Sequence, residues 1–226
     1  RVELGYNASS YDIFPIRQWD RWLDDLQTHL FVQDAEPGAT ARDLLAGTDF
    51  VAGTGYAGVP RLSGEQLHAQ WTPAGDALLI AATQNRHEAA RAQVYYHLYR
   101  VDANGGEPEQ LTDSQDWSCH TPQFAPDGRS LYCQIQPVSE FVYNRPELGR
   151  LDWPRSGAAA DFDDSVELLT AGFDRSVSEY ALATDGRSAY FTALEHGRTR
   201  LFATAAKGTD PVRALDADSP GVYAGP

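Results

Sequence analysis

The sequence has no methionine, one lysine (Lys207) and two cysteines among its 226 residues. It is also short of positive charge: 18 Lys+Arg stand against 32 Asp+Glu, a net charge of −14. So acidic a surface repels phosphate backbones and anionic lipid, which excludes nucleic acid and a membrane surface as partners. No apolar run approaches the roughly 20 residues of a membrane span. Two cysteines cannot build a disulfide-dense scaffold. A start at Arg1 without methionine predicts an internal piece of a longer chain or a processed product, in which no signal peptide is legible. The scarcity of lysine beside abundant arginine reads as codon bias. The sequon Asn7-Ala8-Ser9 matters only in a secreted eukaryotic protein.

Missing motifs narrow the chemistry further. There is no Gly-x-Ser-x-Gly elbow to lift a nucleophilic serine above a sheet. Gly128-Arg129-Ser130 and Gly186-Arg187-Ser188 supply only its first half, and each runs into a strand. The histidines (His29, His68, His87, His97, His120, His196) form no His-Glu-x-x-His, and no Cys-x-x-Cys exists. Cys119-His120 with Cys133 is the only soft-ligand cluster and lacks a fourth ligand, so neither a metal nor another cofactor is predicted. Lys207 lies in no phosphate loop. The two cysteines flank one hairpin in a register that does not look directly opposed, which predicts free thiols.

What is present is an internal repeat. Apolar residues are 42% and aromatics 11%, ordinary for a globular chain with room for one large domain or two small ones. Three segments alternate like strands around similar turns: Thr72-Pro73-Ala74-Gly75-Asp76, Ala125-Pro126-Asp127-Gly128-Arg129 and Thr184-Asp185-Gly186-Arg187. Proline presets φ, aspartate bonds its own backbone and glycine supplies positive φ, so each is a hairpin turn. The turn glycines lie 53 and 58 residues apart. Each unit continues into two more strands that close on a leucine. Leu45, Leu111, Leu169 and Leu215 are 66, 58 and 46 residues apart.

Four short antiparallel strands repeated at about 50 residues define propeller blades. The fold class is therefore all-β: a β-propeller, partial or small, of four-stranded antiparallel blades. A β-sandwich also has evenly spaced short strands, but the joint recurrence of turn and leucine favours the propeller. An incomplete blade over 1–47, lacking its first strand, precedes blades over 60–113, 117–171 and 174–216. A stub over 217–226 either closes a four-bladed ring or starts the next blade of a larger one. An open half ring exposes strand edges, which favours pairing with a second copy.

The Pro-Asp-Gly turns and the ending Gly105-Gly106-Glu107-Pro108-Glu109-Gln110-Leu111-Thr112 resemble the repeats of TolB-type propellers. Two longer stretches are more specific. One is Ile16-Arg17-Gln18-Trp19-Asp20-Arg21-Trp22 leading to His29-Leu30-Phe31-Val32. The other is Ala82-Thr83-Gln84-Asn85-Arg86-His87-Glu88-Ala89-Ala90 leading to His97-Leu98-Tyr99. They resemble the propeller of prolyl oligopeptidase-type serine peptidases, above all the dipeptidyl and acylaminoacyl peptidase branch, over roughly Tyr11 to Leu215. The resemblance implies a propeller that caps a C-terminal α/β-hydrolase domain bearing a Ser-Asp-His triad. It filters peptides by size and, in dipeptidyl members, presents acidic groups to a free amine. No hydrolase domain is present in this sequence, so the chain itself is read as a non-catalytic, substrate-gating domain. Its implied partners are that hydrolase domain and a peptide substrate, and its implied compartment is the periplasm, with the cytoplasm as alternative. A stand-alone TolB-like propeller that binds a protein partner is the competing reading. A propeller lyase acting on acidic sugars would need a metal-binding histidine cluster, whereas these histidines are scattered over the blades.

In such blades the connections from second to third strand share a rim with the blade-to-blade links, and in the resembling family that rim faces the active-site cavity. Three connections stand out. Leu23 to Thr28 follows the Trp19–Trp22 stretch. Gln84 to Gln93 carries Asn85, Arg86, His87, Glu88 and Arg91. Pro137 to Pro146 carries Glu140, Tyr143, Asn144 and Arg145. Glu88 and then Glu140 are the candidate carboxylates for a substrate ammonium. Arg86 is a candidate carboxylate clamp, or else the salt-bridge partner of Glu88, and Asn85 completes the set. Trp71, at the end of an inner strand, is expected between blades. Trp19 and Trp22, three residues apart, cannot face the same way on one strand, so one is expected exposed near the rim.

Overall fold

A computed structural model describes residues 10–11, 15–18, 20–23, 26–61, 64–140, 144–154, 161–208, 210–216 and 221–225. Among these, β1 (Arg17–Gln18) and β2 (Arg21–Trp22) form a short hairpin, and β3 (Phe31–Val32) pairs with β4 (Arg42–Asp43). One helical turn, α1 (Asp49–Ala52), is capped by Thr48, whose Oγ1 accepts the Val51 N–H at 3.3 Å. A hairpin of β5 (Ala57–Arg61) and β6 (Gly64–Gln66) follows, then β7 (Gln70–Trp71), β8 (Ala77–Thr83), β9 (His97–Asp102) and β10 (Glu109–Gln110). The next sheet is β11 (Trp117–Phe124), β12 (Ser130–Pro137), β13 (Glu147–Asp152) and β14 (Glu167–Leu168). The last is β15 (Tyr180–Leu182), β16 (Ser188–Glu195), β17 (Arg198–Ala205) and β18 (Arg213–Ala214). Each of the three large sheets contains an antiparallel meander in chain order, the blade pattern of a propeller. The β5–β6 hairpin adds to the first by pairing β5 with the far end of β8, through Ala57 with Thr83 and Gly58 with Ala82.

The three turns share their backbone hydrogen bonds. Gly75, Gly128 and Gly186 hold φ of +71°, +66° and +68°, and each donates its N–H at 2.9 Å to the carbonyl of Thr72, Ala125 or Ala183. Asp127 and Asp185 accept the N–H of Arg129 and Arg187 at 2.9 Å. In the first turn aspartate follows glycine, and Asp76 instead accepts from Thr72 Oγ1 at 2.7 Å. At the other end of the blade Leu111, Leu169 and Leu215 donate to Leu98, Leu148 and Leu201. In the opening hairpin the same bond comes from Leu44 to Leu30, one residue before the Leu45 that sequence spacing selects.

Three cores lie between successive sheets rather than inside any one. Every residue of β8 is buried. Leu78, Ile80 and Ala82 face a core with Leu30, Leu44, Leu45 and Phe50, while Leu79 and Ala81 face one with Leu131, Cys133 and Ile135. Tyr132 turns the other way, towards Ala189, Phe191 and Ala193 of β16. This is strand alternation with both faces covered. It fails on the outer face of the last sheet, where Leu194 is 62% and Leu215 37% exposed. Residues 221–225 form no strand, and Tyr223 donates its N–H to Thr199 of β17.

Two expectations are overturned. Cys119 and Cys133 form a disulfide with Cα atoms 5.6 Å apart. Counting back from the turn assumes an unbroken ladder. Instead the register slips between His120 and Gln123, so Cys119 pairs with Ile135 and becomes the diagonal neighbour of Cys133. Trp71 does not pack between blades, since 48% of it is exposed. It pairs with Leu78 and so shares the face turned to the opening hairpin. That hairpin supplies only two outer strands there. Trp22 is exposed, stacked on Tyr11 with ring centroids 6.4 Å apart, while Trp19 lies outside the described residues. Trp153 is buried in the second core.

Leu79→Ala empties a fully buried site between two sheets and should cost about 2–5 kcal/mol, whereas Leu194→Ala should stay within about 0.5 kcal/mol; urea unfolding of both variants checks this. Reducing the disulfide, whose cysteines are 14 residues apart, should remove about 3 kcal/mol on the chain-entropy account, seen as a lower urea midpoint with reductant.

Candidate functional site

The candidate residues lie where β8 ends and β9 begins. Residues 84–96 leave the sheet there, with one 3-10 turn over Arg86–Glu88. This connection is held down on residues 50–55. Gln84 Nε2 donates to Phe50 O at 2.9 Å and Arg86 N to Gly55 O at 3.0 Å. The approach is so close that a Cβ on Gly55 would lie 1.9 Å from the Gln84 carbonyl oxygen.

Asn85 ties the connection to itself. Its Nδ2 donates to Gln93 O at 2.8 Å and Glu88 Oε2 at 3.2 Å, and its Oδ1 accepts the Tyr95 N–H at 3.1 Å. Arg86 turns away from Glu88 and pairs at 2.5 Å with Glu65 on β6. The Arg86–Glu88 bridge considered from sequence is thus replaced by one that the β5–β6 hairpin makes possible. The other oxygen of Glu65 accepts the Gly58 N–H at 3.2 Å, so one carboxylate fixes the hairpin and the connection together.

Glu88 is exposed, and so is Glu140 in the equivalent connection of the next sheet. A bond from Gln93 Nε2 to Ser139 O at 3.0 Å bridges the two connections, which places both carboxylates on one rim. Arg145 pairs with Glu147 at 3.0 Å, and Tyr143 lies outside the described residues.

Sequence reading missed the β5–β6 hairpin and what it gathers. Its signal was a pair of short segments, 59–61 and 64–66, separated by two residues. Arg61 near its tip donates from Nε and Nη2 to His68 Nε2, at 3.2 and 3.1 Å. A guanidinium only donates, so His68 accepts at Nε2 and carries its proton on Nδ1. His120, from the next sheet, packs edge-on against Tyr96 at 4.9 Å, with Nε2 buried and unpartnered. His68 and Thr121 occupy the same repeat position and share a positive φ, 51° and 49°, so both inner strands bulge there. Tyr180 of the third blade bonds the second bulge, its hydroxyl 2.5 Å from Thr121 O and 2.9 Å from Tyr132 O.

Burial, then the Arg61 charge, pulls His68 down to about 4; burial, then Arg61 and His68, does the same to His120. Burial first and Glu65 second push the Tyr56 and Tyr96 phenols up beyond their usual range. The disulfide withdraws both cysteines from the soft-ligand cluster. Among the described residues no group of three His, Cys, Asp or Glu is placed to hold a metal ion.

Blades in series with a charged, loop-bearing rim define a β-propeller module. Among solved structures of this fold, the chain is similar to puromycin hydrolase at 18% identity, TM-score 0.56, over 83% of this chain and 27% of that one. It is similar to a Mycobacterium tuberculosis puromycin-hydrolyzing peptidase at 16% identity, TM-score 0.53, over 89% and 30%. It is also similar to the β-propeller domain of Cps50 (Swd1) from Myceliophteria thermophila at 16% identity, TM-score 0.52, over 85% and 54%. The chain therefore spans about a quarter to a third of the two hydrolases' lengths, and at these identities the likeness defines the fold. No protein-family model matches the sequence, and no curated protein does.

His68 and His120 are held neutral in the folded chain but titrate near 6.5 when unfolded. The unfolded chain therefore takes up more protons, and their contribution to stability, complete above pH 6.5, is lost as the pH falls towards 4. Urea midpoints across that window should drop, and should drop less in His120→Gln.

Proposed function

We propose that this chain is the substrate-gating propeller of a serine exopeptidase of the prolyl oligopeptidase type, acting on short peptides. What carries the reading is the pairing of Glu88 and Glu140 as exposed carboxylates on bridged connections at one rim. The longer stretches that resemble dipeptidyl and acylaminoacyl peptidases include one of these connections. The likeness in fold to puromycin hydrolase and to a puromycin-hydrolyzing peptidase is consistent with it.

In this reading the rim faces a hydrolase domain outside the given sequence. Glu88, with Glu140 second, receives the peptide's ammonium group in a partly desolvated cleft, where a charge-assisted hydrogen bond is strongest. Asn85 holds Glu88 at 3.2 Å, and Arg86 anchors the connection through Glu65. Bond cleavage would pass through an acyl-enzyme on the serine of the other domain. The Cys119–Cys133 disulfide supports an oxidising compartment such as the periplasm.

The test is the full-length natural protein treated with a fluorophosphonate serine probe. The expected result is one labelled serine, outside these 226 residues, in a protein larger by a domain of about 250 residues. A natural protein of about this chain's own mass of 24.8 kDa would overturn the reading and leave a binding propeller. In the labelled enzyme, Glu88→Gln should raise KM for peptides with a free amine about tenfold, the size of one charged hydrogen bond, and leave N-acylated peptides unchanged.

A further inference from the structure

A cavity of about 370 Å³ opens at the outer edge between the second and third large sheets. The link from β14 to β15 forms one wall through Leu168, Ala171, Gly172 and Phe173. The segment leading into β18 forms the other through Asp210 and Val212. The volume falls in the range of small-molecule sites and admits an aromatic ring with a short chain. Phe173 is fixed as a wall, because its ring packs edge-on against Phe191 and Phe202 with centroids 5.4 and 4.9 Å away.

The repeat supplies an internal comparison. Counted from the equivalent leucines Leu111 and Leu169, Ala171, Gly172 and Phe173 stand where the preceding link has Asp113, Ser114 and Gln115. Three polar side chains give way to two small residues and a ring, which turns polar cover into an apolar recess. Counted back from Leu169 and Leu215, Asp210 keeps the carboxylate that Asp164 carries one blade earlier. That carboxylate has no hydrogen-bond or ion-pair partner among the described residues, and the contact of Asp210 with Thr204 Oγ1, at 3.3 Å, is through its backbone carbonyl. Glu167, by contrast, is fully engaged, by Gly208 N–H at 2.8 Å and Arg150 at 3.1 Å. No cation of the chain neutralises the recess. Arg145 reaches the Ala171 carbonyl at 3.5 Å but pairs with Glu147 at 3.0 Å, and Lys207 does not line the cavity. An apolar recess with one open carboxylate, in a protein of net charge −14, is complementary to an apolar group that carries a positive charge.

We infer that this cavity binds a small arylalkylammonium ion, with Asp210 receiving the ammonium group and Leu168, Phe173 and Val212 receiving the ring. Ala171 and Gly172 leave the opening through which the ring enters. The site is separate from Glu88 and Glu140 and does not rest on the peptidase reading.

The experiment is an amide NMR titration of the protein at neutral pH and low salt, with phenethylammonium chloride and with its uncharged isostere 2-phenylethanol. Phenethylammonium should shift the Gly172 and Val212 amides and bind about tenfold more tightly than the alcohol, the size of one charged hydrogen bond. Added salt should shrink that preference. Asp210→Asn should abolish the preference, while Asp34→Asn, at an exposed site between β3 and β4, should retain it. Ala171→Trp, at an exposed position on the wall, should fill the cavity and block both ligands, and the spectrum of each variant reports whether it is folded. Absence of shifts at Gly172 and Val212, equal binding of the alcohol, or a preference that survives Asp210→Asn would overturn the inference. A protein that fails serine labelling but keeps the Asp210-dependent preference would lose the peptidase reading and keep this site.

Discussion

Everything in this structure depends on burying both faces of a blade's central strand. A four-stranded antiparallel sheet of small and branched residues has no core of its own. β8, with all seven residues buried, is stable only because one sheet covers Leu78, Ile80 and Ala82 and another covers Leu79 and Ala81. The same constraint explains the composition of β12, whose alternating residues divide between the second and third cores, and of β16, whose Ala189, Phe191 and Ala193 enter the third core alone. Where the described residues leave a face uncovered the pattern relaxes, as at Leu194. Stability is thus a nearest-neighbour property, as in other repeat architectures.

That stacking frees the strand connections from structural duty and lines them up on one rim. The connection carrying Glu88 and the one carrying Glu140 come from successive blades, and a single bond from Gln93 to Ser139 ties them. Rigid strands below and polar connections above is the usual division of labour between scaffold and site. The β5–β6 hairpin departs from the repeat. Through Glu65 it locks Arg86, and through Arg61 it sets a cation against the His68 imidazole in a protein whose net charge is −14. The two bulges at His68 and Thr121 are a second departure, repeated in successive inner strands, and they re-aim side chains that a regular ladder would send elsewhere.

Much of the architecture was legible because its causes are local. The turns around Gly75, Gly128 and Gly186 need positive φ and adjacent proline or aspartate chemistry, and those residues announce themselves. The errors arose where locality failed. The disulfide escaped because a bulge, not the turn, sets the register of Cys119. Leu45 was chosen over Leu44 because two adjacent leucines cannot be separated by pattern alone. Trp71 was misplaced because its environment depends on which strands a neighbouring unit lacks. On the rim, Glu88 and Glu140 could be nominated from loop position, but the partner of Arg86 lay 21 residues away on a hairpin that had not been recognised.

By itself the sequence determined the strand periodicity, the turn chemistry, the repeat and hence the fold class, since each follows from interactions within a few residues. It also determined the absence of an elbow serine and of metal-ligand motifs, which are matters of spacing. Tertiary structure alone decided which charges are neutralised and which are left open. Glu65 meets Arg86, Arg61 meets His68, and His120 packs against Tyr96, through contacts between segments whose separation in the chain carries no periodic signal. Ion pairing and desolvation act over a few ångströms of space, and only the folded chain sets those distances.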